Sequence, residues 1–454
     1  MVDESNCTQF YLEVSIMLIN LSFEKIVASL RKTIQTFPDK RTGNNLIYSL
    51  EDAALGAFSV FFTQCPSFLV YQKAMEDAKG KSNAQTIFQM KGIPTDNHIR
   101  YLMDAVSWEL PFPVFDDIFQ SLNKSGYLDN FRVFNGDLLF HFDGTQYFSS
   151  KKIHCDQCST KTHKDGSVTY SHSMITPVIA APGIAQVIAL KPEFILPQDG
   201  HEKQDCENAA FKRWMDKYSK EYKSLKVTAT GDDLYSRQPI CEKTLTSGFN
   251  FIFVCKEDSH KTLYEWLEGL EEGKERYTVT IKRWNGRFRE IYTYKYANNV
   301  PLRDSDDALS VNWFDITVTR EEDGQILYHN SFITNHKIRK NNVENLAICG
   351  RSHWKIENEN NNTLKTKGYN LEHNFGHGKK NLSCLLAVFI ILAFLFHTVL
   401  EIVDSKYRLI RKHLPRRDTF FDDIRALTKY LCFNSWTHLM DFMMEGLELK
   451  LEPG

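Results

Sequence analysis

The chain carries almost no excess charge: 55 Lys and Arg stand against 57 Asp and Glu, a formal net charge of −2 over 454 residues. No global basic field advertises a polyanionic partner, so a surface for nucleic acid has to be segregated within the chain. Local basic clusters fall at Lys151-Lys152, at Lys379-Lys380 and in the run Lys406, Arg408, Arg411, Lys412, Arg416 and Arg417. Cysteine is sparse for the length. Its ten residues are scattered, and only Cys155 and Cys158 stand close together; that excludes a disulfide framework and points to a reducing compartment. Internal repeats and low-complexity linkers are missing. The opening Met-Val-Asp-Glu-Ser-Asn lacks the basic region of a secretory signal. Long apolar runs are missing too, with one exception. Leu382 to Leu400 carries no charge, is long enough to cross a bilayer and is flanked by Lys379-Lys380. No other segment resembles a span, so this run is expected to be a core helix.

What is there supports a sizeable core: 42% hydrophobic and 25% charged residues, enough chain for two or three domains. Residues 1–130 read as a helical N-terminal region. One helix starts at Leu21-Ser22-Phe23 and stops before Pro38, a second opens on a capping-box-like Ser49 to Asp52, and a third is capped by Thr95. His98 and Arg100 near the start of the third could enter a DNA groove, although a plain helical bundle explains them better. From 131 the period changes. Strands are expected over 137–143, 168–179, 186–190, 225–233 and 249–255, with a helix bearing Phe211, Trp214 and Tyr218 and another near 235–245. Strands alternating with helices argue for an α/β core with a mixed sheet over 131–270. Residues 271–334 read as an antiparallel β insertion, divided by turns such as Asn285-Gly286 and Asp323-Gly324. Residues 335–400 return to the core and 401–454 form a helical C-terminal region.

Three acids draw these segments together. Asp143 and Asp232 each end a predicted strand, where open α/β sheets bind ligands. Glu357 lies in Arg351-Ser-His-Trp-Lys-Ile-Glu357, and on a helix Trp354, Glu357 and Asn361 share one face. Three converging carboxylates repel one another unless a divalent cation neutralises them. Hard oxygen ligands select Mg²⁺ or Mn²⁺, and two such ions about 3.5–4 Å apart stabilise both oxygens of a phosphodiester displacement.

With Phe-Asp143-Gly-Thr-Gln-Tyr-Phe, Gly-Asp232-Asp-Leu-Tyr and Arg-Ser-His-Trp-Lys-Ile-Glu357-Asn, followed by Leu-Lys365-Thr-Lys367-Gly-Tyr-Asn-Leu-Glu-His373-Asn-Phe-Gly-His377-Gly, the chain resembles the DDE transposases of prokaryotic insertion sequences, of the insertion-sequence-four-like type. The resemblance spans about 20 to 440. It implies a ribonuclease-H-like mixed sheet flanked by helices, with a β insertion before the last acid. It also implies Asp143, Asp232 and Glu357 as catalytic metal ligands, with Asp233 the alternative to Asp232. The implied chemistry is Mg²⁺- or Mn²⁺-dependent cleavage at element ends and joining of 3′ ends to target DNA. The implied partner is double-stranded DNA, the terminal inverted repeats and the target, held by a homodimer or larger synaptic complex. The implied location is cytoplasmic and nucleoid-associated, with no membrane. Lys203, Arg351, Lys365, Lys367 and His373 are the implied DNA contacts. Relatives carry Arg four residues before the Glu and Lys seven after; here His353 and Leu364 stand there, with Arg351 and Lys365 out of step. A related nuclease without strand transfer, a membrane-tethered binding protein and an inactive transposase copy are the alternatives.

Cys155, Cys158, His163 and His172 have the content of a structural zinc site, spaced C-x2-C-x4-H-x8-H, with His154 as an alternative ligand. Two exposed thiols in a polar hairpin are the plainer reading. His373 and His377 could also ligate a metal, but a loop touching the DNA backbone is preferred.

Overall fold

The computed structural model describes residues 21–42, 46–76, 80–197 and 206–451; the N-terminal residues read for a leader and the stretch bearing Lys203 lie outside them. The protein is mixed α/β, a mixed sheet flanked by helices. Helices α1 (Phe23–Ile34), α2 (Leu50–Phe62), α3 (Phe68–Glu76), α4 (Gly80–Ile87), α5 (Asp96–Met103) and α6 (Phe112–Lys124) come first. Ser22, Ser49 and Thr95 each adopt extended backbone and accept a hydrogen bond from the amide three residues on. Each thereby satisfies a donor that a helix start leaves unpaired. Helix α5 is committed to the interior: Ile99, Leu102 and Met103 are buried, and Arg100 pairs with Asp96 at 3.0 Å and donates to the Phe375 carbonyl at 2.8 Å. A structural role therefore accounts for Arg100.

The strands are β1 (Leu138–His141), β2 (Gly144–Ser150), β3 (Ser159–Thr162), β4 (Val168–Ile175), β5 (Val178–Ile179), β6 (Ile188–Ala189), β7 (Glu193–Ile195), β8 (Val227–Gly231), β9 (Asn250–Val254), β10 (Arg276–Trp284), β11 (Arg289–Pro301), β12 (Ser310–Arg320) and β13 (Ile326–Thr334). Nine form one sheet in the order β10-β11-β12-β13-β9-β8-β1-β5-β6. In it β8 runs parallel to both β1 and β9, and all three are largely buried, as parallel strands covered on both faces must be. The β insertion prolongs this sheet: Phe332, Ile333 and Thr334 of β13 pair with Val254, Phe253 and Ile252 of β9, closing what would otherwise be an open edge. A second sheet is β2-β4-β3 with β7 on β4. The expected strand over 168–179 is broken after Ile175, where Pro177 cannot donate to a ladder. Its two parts, β4 and β5, belong to different sheets.

The remaining helices are α7 (Glu207–Tyr218), α8 (Gln238–Thr246), α9 (Lys261–Gly269), α10 (Val343–Arg351), α11 (Asn362–Thr366), α12 (Leu382–Val403), α13 (Ser405–His413), α14 (Arg417–Tyr430) and α15 (Trp436–Gly446). The apolar run is α12, and 94% of its most apolar stretch is buried inside the protein. Phe58 of α2 meets Phe396 edge-on at 4.9 Å, and Trp436 of α15 stacks on Phe23 of α1 at 4.8 Å. The helices from both ends of the chain thus share one core. Asp104 holds the start of α12, its carboxylate accepting from the amides of Lys379, Lys380, Asn381 and Leu382 at 3.0–3.1 Å, with the charge favoured by the helix dipole. At the other end of α12 the basic C-terminal run is partly neutralised. Arg411 and Arg417 each lie 3.6 Å from Glu401, and Arg416 pairs with Asp418 at 2.6 Å.

Candidate functional site

The register of the central strands decides where two of the acids go. His141 of β1 pairs with Thr230 of β8 in parallel. Asp143 and Asp232 each follow two residues later, so they leave the carboxyl ends of neighbouring strands side by side. The third acid comes from the opposite wall. After α10 the chain enters a π-helical turn, Ile356–Asn361, that runs on into α11. Such turns are rare and are concentrated at functional sites. Ile356 is fully buried and anchors the turn, leaving Glu357 and Asn361 to face the strand ends. Asn361 Nδ2 donates to Asp143 Oδ2 at 2.9 Å. Its Oδ1 accepts from the Thr176 hydroxyl at 2.6 Å and from Asn360 at 3.0 Å, which fixes the amide. Asp143, Asp232, Glu357, Trp354, His353 and Lys365 line one cleft of about 660 Å³.

Burial and the neighbouring carboxylates of Glu207, Asp232 and Glu357 push Asp143 up to about 7. Burial also raises Asp232. Among the described residues none of the three acids makes an ion pair, and Lys365 on the cleft wall is already engaged by Glu372 at 3.0 Å. The three acids share the cleft, but among the described residues their oxygens are not gathered into a metal-sized group as a set of Cys and His ligands elsewhere in the chain is; their all-oxygen chemistry is of the kind that takes Mg²⁺ or Mn²⁺. Behind them His141 and His353 share the Thr230 hydroxyl at 2.5 and 3.2 Å. Burial lowers the two rings to about 3 and about 4, so they bring no cation to the cleft at neutral pH.

Asp232 and Asp233 part company. Asp232 lines the cleft and accepts only a local bond from the Leu234 amide at 2.8 Å. Asp233 turns the other way, accepting from the Lys256 amide at 2.6 Å and the Ser259 hydroxyl at 2.5 Å. A fourth acid was not singled out in the sequence. Glu207, the first residue of α7, accepts from the Tyr235 hydroxyl at 2.6 Å and lies against Gly144, where a Cβ would sit 2.2 Å from its Oε2. Glu207 ends the charged run 198–207, which the resemblance implies lies beside the active site with Lys203 facing the phosphates; Lys203 lies outside the described residues.

The other proposed DNA contacts are dispersed. Arg351 stacks on the Tyr328 ring at 4.3 Å and does not line the cleft. Lys367 borders a separate cavity of about 700 Å³ with Arg411, Arg416 and Arg417. His373 is exposed beside the Phe375 ring.

A second cluster lies outside the cleft. Cys155 and Cys158 on the excursion between β2 and β3, His172 of β4 and His377 before α12 bring one ligand atom each within 4.8 Å of one another. This largely buried group could hold a metal such as zinc. His163 is not part of it: that ring turns to the Thr169 hydroxyl at 2.8 Å in the exposed hairpin, and His377 stands in its place. His154 likewise stays outside, stacked on Tyr170 at 4.4 Å. Cys155 and Cys158 are free thiols, not a disulfide.

Fold and sites together define a mixed α/β protein with an acid cleft at the ends of its parallel strands and a separate Cys/His centre. No protein-family model matches the chain, and no curated protein matches it either.

Proposed function

We propose that this chain is a divalent-metal-dependent DNA transposase of the DDE type, built on a ribonuclease-H-like core, that cuts at element ends and joins the 3′ ends to target DNA. The observation that carries the reading is the meeting of Asp143, Asp232 and Glu357, from three distant stretches, in one cleft, with no ion pair to any of them among the described residues. Asp143, Asp232 and Glu357 would hold the ions, and Asn361 orients Asp143. When bound, the ions supply Lewis-acid polarisation of the scissile phosphate and neutralise charge in the displacement. In the first step a water oxygen replaces the 3′ oxygen at phosphorus; in the second that 3′ hydroxyl attacks a target phosphate in line, and the target strand's own 3′ oxygen leaves as a hydroxyl. Both steps need positioning and charge neutralisation rather than a protein nucleophile. Lys365 leaves Glu372 for a DNA phosphate, and Trp354, 49% exposed at the cleft, offers its ring to the duplex.

The test is to incubate the protein with Mg²⁺, duplexes carrying the flanking repeats of its own element, and a target plasmid. A cut at the repeat boundary and joined products are expected. Asp143→Ala, Asp232→Ala and Glu357→Ala should each lower cleavage by about 10³-fold or more while end binding persists. Cleavage without joining would make the protein a nuclease, and a Glu357→Ala protein that still cuts would overturn the assignment.

A further inference from the structure

The geometry points to a structural zinc site formed by Cys155, Cys158, His172 and His377, in which His377 closes a staple across 219 residues of chain from Cys158. This does not rest on the transposase reading. The two sulfurs are 3.9 Å apart. His172 Nε2 lies 3.5 Å from Cys155 Sγ and 3.4 Å from Cys158 Sγ, and His377 Nε2 lies 3.5 Å from Cys158 Sγ. A tetrahedron with Zn–S of about 2.3 Å and Zn–N of about 2.0–2.1 Å has S···S edges of about 3.8 Å and S···N edges of about 3.5 Å. These four separations match those edges, and all six ligand–ligand separations lie within 4.8 Å. Both rings turn Nε2 toward the sulfurs, and neither uses Nδ1 on a partner among the described residues. Three of the four ligand residues are buried and the fourth is half-buried, so the site is closed, with four protein ligands and no open position, as structural zinc sites are.

The chain around each ligand explains what the staple joins. The Cys155-Cys158 knuckle follows β2, whose first residue, Gly144, adjoins Asp143. His172 lies in β4, which ends one residue before Thr176, the residue that fixes Asn361. His377 belongs to the loop between α11 and α12. That loop is pinned on its other side, because Gly378 holds a left-handed φ of +69° and a Cβ there would collide with Asp104, the acid that caps α12. Zinc would therefore tie the small sheet that carries one wall of the cleft to the segment that follows the other wall.

Metal analysis of the purified full-length chain, prepared without added metal, is expected to give one zinc per chain. Exchange with Co²⁺ should give a thiolate-to-cobalt charge-transfer band and the intense visible bands of a tetrahedral centre. His377→Ala should lose the metal, His377→Cys should retain it, and His163→Ala should be indistinguishable from the parent. A parent chain that retains no stoichiometric zinc after equimolar Zn²⁺ and desalting would overturn the site. So would zinc lost in His163→Ala and kept in His377→Ala. If His377→Ala fails to fold, His377→Cys and His163→Ala still decide.

Discussion

The acid cleft and the Cys/His cluster lie at the two ends of β2, whose first residues line the cleft and whose end leads to the Cys155-Cys158 knuckle, and they gather ligand-type side chains in opposite ways. The cleft offers hard oxygens, with Asp143 raised by burial and then by its neighbouring carboxylates and no ion pair to the three acids among the described residues. The cluster offers soft sulfur and imidazole donors, largely shut away from solvent, with every ligand atom within 4.8 Å of the others. An open set of repelling acids suits an exchangeable ion and a substrate that displaces water. A closed set of four suits a metal acquired with the fold and kept. The contrast predicts that the same kind of insult will have opposite consequences at the two places.

Stability is where the difference should be largest. Cys158→Ser removes a ligand at the centre of the staple and is expected to cost on the order of 3–5 kcal/mol, the range for losing a structural metal or a buried network. Asp232→Asn removes charge from a set that repels itself, and without Mg²⁺ it should leave stability unchanged or raise it. Denaturant unfolding of the two variants beside the parent checks this. A destabilised Asp232→Asn with an unaffected Cys158→Ser would reverse the comparison.

A pH series sharpens it. Asp143 titrates at about 7 in the folded chain against about 3.9 when unfolded. Between those values the folded state holds a proton that the unfolded state has released, so the metal-free protein loses stability as pH rises from about 4 to about 7 and levels off above. Mg²⁺ competes with that proton. The rise in melting temperature on adding Mg²⁺ to zinc-replete protein should therefore be larger at pH 8 than at pH 5.5, and Asp143→Asn should flatten the slope. An Mg²⁺ shift independent of pH would separate Asp143 from the ion.

The two sites also differ in how legible they were. Asp143 and Asp232 could be found because a strand pattern followed by an acid survives in the linear sequence, and adjacent parallel strands then bring the acids together. Glu357 was placed by a helical face shared with Asn361, and the structure has both lining the cleft, although on a π-helical turn that no periodicity announces. The helix caps at Ser49 and Thr95 were readable because capping is local. The sequence offers His377 as a metal ligand only in company with His373, and Glu207 only as the end of a charged run; neither can be joined to its group without the fold, whereas His163 lies close to the cysteines in sequence and not in space. The β insertion was recognisable as four strands, yet whether they stood apart or prolonged the central sheet depended on the open edge of β9, which only the assembled sheet reveals.

The smallest effect separates two cations that resemble each other in sequence, Arg351 and Lys365. Lys365 lines the cleft and is held by Glu372 at 3.0 Å, an exposed pair worth little in itself and easily exchanged for a phosphate. Arg351 is spent on the face of Tyr328. Lys365→Gln should weaken DNA binding severalfold and reduce the slope of log affinity against log salt by about 1. Arg351→Gln should leave both unchanged and cost about 1 kcal/mol or less of stability through the lost cation–π contact. Glu372→Gln supplies the sign: it frees Lys365, so binding should tighten in the parent background and not in Lys365→Gln. Tightening in both backgrounds would mean that Glu372 merely repels DNA on its own account, and Lys365 would lose its place in the cleft's chemistry.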